Sequence, residues 1–87
     1  MNSYKDLTVW QKAMDLVLMV YRITKLFPKE ELFVLVSQMR RAAISIPSNI
    51  AEGYTRRTRK EYIQFVQTAF GSAAELETQL EISWRLE

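Results

Sequence analysis

Residues 32–54 read LFVLVSQMRRAAISIPSNIAEGY, and this stretch decides the fold. Leu32, Leu35, Val36, Met39, Ala43, Ile46 and Ile50 recur at three- and four-residue steps, the heptad-like rhythm of a helix that buries one stripe. Pro28 followed by Glu30 and Glu31 makes a good helical entry, with acids near the positive end of the dipole. Pro47 falls inside the rhythm without ending it. Its ring removes a backbone donor and presses on the carbonyl of Ala43, which predicts one helix over roughly 32–54, kinked near Pro47.

Working outward, Phe27-Pro28 closes an upstream helix predicted over about 7–26, because a residue before proline resists the helical region. Asp6 or Thr8 can cap its start, and Thr8 with Gln11 has capping-box spacing. Its apolar residues form two stripes. Val9, Ala13, Leu16, Val20, Ile23 and Phe27 make one, and Trp10, Met14, Val17 and Tyr21 the other. One stripe suffices to pack the helix on its own chain. The second predicts a further contact, with another helix or another subunit.

Downstream, Thr58-Arg59-Lys60-Glu61 matches a capping box and opens a third helix predicted over 58–87. Tyr62, Val66, Ala69, Ala73, Leu76, Leu80 and Trp84 line one face of it, widened by Ile63 and Phe70. Short connections favour antiparallel neighbours, so the expected fold is an all-α, up-down-up bundle of three helices in a single domain, 1–87. No strand-like alternation occurs.

The chain has 87 residues with no cysteine and no histidine. Thiolate nucleophiles, thiolate metal sites and histidine general bases are therefore excluded, and no enzyme activity or cofactor is expected. Met1 to Asp6 carries no apolar segment of a secretory signal. The longest apolar run, Leu16–Tyr21, is far short of the ~20 residues a bilayer demands. A cytoplasmic protein without membrane contact is the expectation.

Charge is unevenly placed. Residues 1–60 carry 11 basic and 5 acidic side chains, whereas residues 61–87 carry 1 basic and 5 acidic. The densest basic cluster is Arg56, Arg57, Arg59 and Lys60 at the second turn, near Tyr54 and Tyr62; Arg40 and Arg41 form a smaller one. Such clusters beside aromatics suit phosphates, as in RNA or DNA. They equally suit a solvated turn whose arginines pair with glutamates of the third helix. Glu77 projects inside the apolar arc of that helix, which predicts a structural ion pair with Arg40 or Arg41. Glu77 and Glu81 stand one turn apart, but a bundle metal site wants Glu-x-x-His pairs, and no metal is expected. Ser45, Ser48 and Asn49 lack an activating base and are read as bonding backbone near Pro47. Trp10 and Trp84 are read as core or interface anchors.

Three stretches carry a family resemblance: Tyr4–Leu7 with Val9–Ala13, Gln38–Gly53, and Gly71–Leu80. They resemble the bacterial four-helix-bundle proteins called 23S rRNA intervening-sequence proteins, a family similar to accessory proteins of diversity-generating retroelements. The resemblance implies an up-down-up-down bundle assembling as a homopentamer of basic character, with no enzyme activity. It also implies a fourth helix after the third, whereas this chain stops at Glu87, so an apolar groove is expected that either stays exposed or is filled by another chain. The leading functional expectation is a homo-oligomeric bundle binding RNA or DNA through its basic clusters. The alternative is a scaffold that receives a protein partner, such as a reverse transcriptase, on its apolar faces.

Overall fold

The computed structural model describes residues 3–86. Its α-helices are α1 (Thr8–Thr24), α2 (Ser37–Tyr54) and α3 (Arg59–Leu86), and no strand occurs among the described residues. The fold is the expected all-α bundle. Glu87, the last residue of the third predicted helix, lies outside the described residues.

The centre of the bundle is α2. Met39 and Ala43 are 0% exposed, and Leu35, Val36, Ala42, Ile46 and Ile50 are buried with them. The rhythm of residues 35–50 is thus the core itself. Ala13 and Val20 of α1 and Ala69 and Leu76 of α3 complete the cluster. Both outer helices pack on α2 and scarcely touch each other. Alanine at the crossings permits close approach, since it presents little side chain to separate the backbones.

Helix entries depart from the expected caps. α1 follows a short 3₁₀ turn, Tyr4–Asp6, and its cap position is Leu7, with no side-chain cap. Gln11 does not close a box with Thr8; its Nε2 donates to the carbonyl of Lys5 at 2.9 Å. The capping box at Thr58 does form on one side, with the Glu61 amide donating to Thr58 Oγ1 at 3.1 Å. The Glu61 carboxylate then accepts the Thr58 hydroxyl at 2.9 Å.

The irregularity expected at Pro47 lies elsewhere. α2 runs unbroken from Ser37 to Tyr54 with Pro47 buried inside it. The residues just past the proline reinforce the ladder: Ser48 Oγ donates to the carbonyl of Ile44 at 2.8 Å, and Asn49 Nδ2 to that of Ser45 at 2.7 Å. Deviation from α geometry is found upstream, where a 3₁₀ turn (Lys29–Glu31) leads into a π turn (Leu32–Val36). A π turn holds one more residue than an α turn and rotates what precedes it by about 100°. Leu35 and Val36 accordingly face the core, while Leu32, Phe33 and Val34 face outward.

The buried face of α3 also differs from the expected one. Ala69, Ser72, Leu76 and Gln79 are buried, with Phe65 partly so, whereas Tyr62, Ile63, Phe70, Ala73, Leu80 and Trp84 are exposed. The face is rotated by roughly a quarter turn from the apolar arc. One inward polar residue is explained by its partner: Ser72 Oγ donates to Ser45 Oγ at 2.8 Å, which also accepts from Asn49 Nδ2 at 2.9 Å.

The glycines test how tightly the ends are packed. A Cβ on Gly53 would lie 3.0 Å from Phe65 Cβ, whereas one on Gly71 would meet nothing within 4 Å. Gly71→Ala is expected to stabilise by about 1 kcal/mol through helix propensity, raising the thermal midpoint by roughly 4–8 °C. Gly53→Ala is expected to lower the midpoint, because Phe65 Cβ yields only if α3 itself shifts. Thermal melts followed by circular dichroism decide both.

Candidate nucleic-acid interface

The basic turn is built by the end of α2 and the start of α3. Thr55 and Arg56 donate their amides to the carbonyls of Glu52 and Gly53, each at 3.1 Å, closing α2 with tightened turns. Arg59 then starts α3 after only four intervening residues, 55–58. Arg56, Arg57, Arg59 and Lys60 are thereby gathered on one end of the bundle, all exposed.

These four cations are not equivalent. Arg56 Nη2 lies 3.3 Å from Glu52 Oε2, and its guanidinium sits 4.5 Å from the ring centre of Phe65. It is tethered, although a surface pair of this kind is worth only about 0–1 kcal/mol. Arg57, Arg59 and Lys60 make no hydrogen bond or ion pair among the described residues. Arg59 and Lys60 also occupy the first turn of α3, where the helix dipole is already positive. Glu61 stands in the same first turn and Glu52 beside Arg56, so four cations against two carboxylates leave the turn net positive. Tyr54 and Tyr62 are partly exposed beside it.

Arg40 and Arg41 do not join this cluster. They lie about 22 Å away along α2, at 1.5 Å per residue. Arg40 is half-buried against α1. Its Nε donates to Thr24 Oγ1 at 3.0 Å, its Nη2 reaches the carbonyl of Tyr21 at 3.5 Å, and its guanidinium lies 4.4 Å from the Tyr21 ring centre. Thr24 is itself buried and donates to the carbonyl of Val20 at 2.7 Å. Arg41 is exposed.

The expected ion pair of Glu77 with Arg40 or Arg41 is absent. Glu77 is exposed, because the buried face of α3 is rotated away from it, and Arg40 is held by Thr24 and Tyr21 instead. Its neighbour Glu81 pairs with Arg85 at 3.0 Å. Among the described residues no group of three or more acidic side chains is placed to hold a metal ion.

The second stripe of α1 is used within the chain. Trp10 and Val17 pack against the core, Trp10 also meets Tyr4 edge-on at 5.5 Å, and Tyr21 carries Arg40. Met14 is the most exposed of the four, at 38%. The open apolar surface of α1 lies instead at Val9, Leu18, Met19, Ile23 and Leu26. Ile23 and Leu26 continue into a groove of about 810 Å³ whose opposite wall is Leu80, Trp84 and Leu86 of α3. No helix is long and apolar enough to cross a membrane among the described residues.

Sequence reasoning missed Thr24, Phe65 and Phe33. Thr24 was accessible in principle, since Ala13, Val20 and Thr24 fall on one helical face. Nothing in the pattern distinguishes Phe65, which Arg56 covers, from Phe70, which is 73% exposed.

The chain matches, over residues 5–87, the family model described as 23S rRNA-intervening sequence protein. No curated protein matches it.

The Thr24 contact has a measurable weight. Thr24→Val keeps the shape but leaves the Arg40 Nε proton without its acceptor. A loss of about 1 kcal/mol is expected, read as a lower urea midpoint with an unchanged m-value.

Proposed function

The chain belongs to the 23S rRNA-intervening sequence protein family, and from that premise we propose that it is a non-catalytic bundle subunit that binds nucleic acid, RNA or DNA, through its basic turn and associates with further copies of itself. The observation that carries this reading is the state of Arg57, Arg59 and Lys60: three exposed cations at one helix start, none engaged by a carboxylate among the described residues. Side chains positioned in this way neutralise phosphates and release counterions, a sequence-independent attraction that falls steeply with salt. The family name, which ties these proteins to sequence intervening in 23S rRNA, agrees with a nucleic-acid partner.

Self-association is supported by the apolar sides that α1 and α3 leave open. Trp84 and Phe70 are each 73% exposed, and Leu26 is 86% exposed. Apolar surface on this scale ordinarily meets a partner. A second reading, a scaffold for another protein, draws on the same feature, with the groove between Ile23, Leu26, Leu80 and Trp84 as the receiving surface. The two readings differ in what the basic turn does.

A filter-binding titration against salt separates them. The native chain is expected to bind duplex and single-stranded nucleic acid at low salt with a steep negative slope. Replacing Arg57, Arg59 and Lys60 by Ala is expected to flatten that slope by roughly 2 to 3. No binding at low salt sinks the reading and leaves the scaffold, and an unchanged slope in the triple variant sinks the basic turn as the contact. For assembly, sedimentation equilibrium is expected to give a mass above one chain, falling toward one chain in Leu26→Glu.

A further inference from the structure

We propose that the groove between α1 and the start of α2 is a separate contact for single-stranded nucleic acid, in which Phe33 stacks on a base while Arg40 and Arg41 hold a phosphate. The groove measures about 350 Å³ and is lined by Tyr21, Phe33, Arg40, Arg41 and Ile44, with no acidic residue on its walls. The inference rests on the reading that this chain binds nucleic acid, and it adds a second site with its own selectivity.

Arg40 is the first reason. A guanidinium stays protonated at any ordinary pH. This one is half-buried, is held by a hydroxyl, a carbonyl and a ring face, and among the described residues has no carboxylate within pairing distance. Its plane is therefore fixed while its charge is left uncompensated, and partial burial weakens the screening of that charge by water. A fixed fork of N–H donors beside a second cation, Arg41, suits a phosphate in particular.

Phe33 is the second reason. The π turn points it outward, and it is 88% exposed at the rim of the same groove. An aromatic ring standing in water beside two arginines is the combination with which single-strand binders work: cations follow the backbone, and rings stack on bases of any sequence. A duplex keeps its bases inside its own stack and cannot use such a ring. The groove therefore selects single strands, whereas the basic turn at residues 56–60 accepts any phosphate backbone. The two sites are about 22 Å apart along α2. A strand of about 12 nucleotides, roughly 40 Å at 3.4 Å each, reaches both.

The test is fluorescence anisotropy with a labelled oligo(U) of about 12 nucleotides and with an RNA duplex of equal length. Phe33→Ala, at an exposed position, is expected to weaken oligo(U) binding about tenfold while leaving duplex affinity and both salt slopes unchanged. Arg41→Ala is expected to flatten the oligo(U) slope by about 0.7. If Phe33→Ala leaves oligo(U) affinity within about twofold, short of the stacking loss, the groove is not a base site, even where the triple variant of the turn still abolishes binding. If that triple variant changes nothing while Phe33→Ala does, the groove stands and the basic turn falls. Sedimentation of Phe33→Ala adds a further outcome: loss of an assembly present in the native chain would make the ring a subunit contact and overturn the proposal.

Discussion

The structure depends on the burial of α2 from two sides. Met39 and Ala43 lose all contact with solvent because α1 and α3 each cover part of the same helix. The constraint this sets on the outer helices is severe. Each packs mainly on α2, so each keeps part of its apolar surface in water. A chain of 87 residues has little interior to spare. Here most of it is assigned to α2, and the open sides at Met19, Ile23 and Leu26 and at Leu80 and Trp84 follow directly from that choice.

Polar contacts then fix how the outer helices sit. Apolar packing alone tolerates sliding and rotation, whereas a buried hydroxyl needs a partner at one place. Ser72 with Ser45 and Asn49 sets α3 against α2, and Thr24 with Arg40 sets α1 against α2. The second of these contacts also does something the first does not. It orients a guanidinium that has no counter-charge among the described residues, the feature on which the proposed phosphate contact rests.

What the sequence made legible follows from the same constraint. The rhythm of residues 35–50 could be read because a helix covered on both sides must be apolar wherever it is covered. The turn at Thr58 could be read because its cap is a local interaction between residues three apart. The face of α3 could not. Hydrophobicity marks residues that avoid water without saying which surface removes them from it, so Phe70, Leu80 and Trp84 drew the arc toward an open side, and Ser72 and Gln79 were passed over as polar. The misplacement of Glu77 is the same error carried to a charge. The basic turn was legible because charged side chains at a helix start need no partner to be exposed. That Arg40 belongs with Thr24 was not, since the two are brought together only by the packing of α1 on α2.

In the proposed nucleic-acid-binding assembly, mass action would link the open apolar sides to the basic turn. Three free cations on one chain give a weak contact that physiological salt largely screens. If copies associate, each brings its own turn, and counterion release adds over all the phosphates engaged, so affinity rises with every subunit the strand reaches. Linkage makes the effect reciprocal: a strand that binds two subunits better than one strengthens their association by the same factor. In such an assembly the incomplete burial of α1 and α3 is the source of the affinity, because it is what makes a single chain an insufficient unit. Net charge then matters less than its position. Glu52 and Glu61 flank the turn at residues 56–60, where four basic side chains outnumber them, whereas Glu75, Glu77 and Glu81 lie farther along α3.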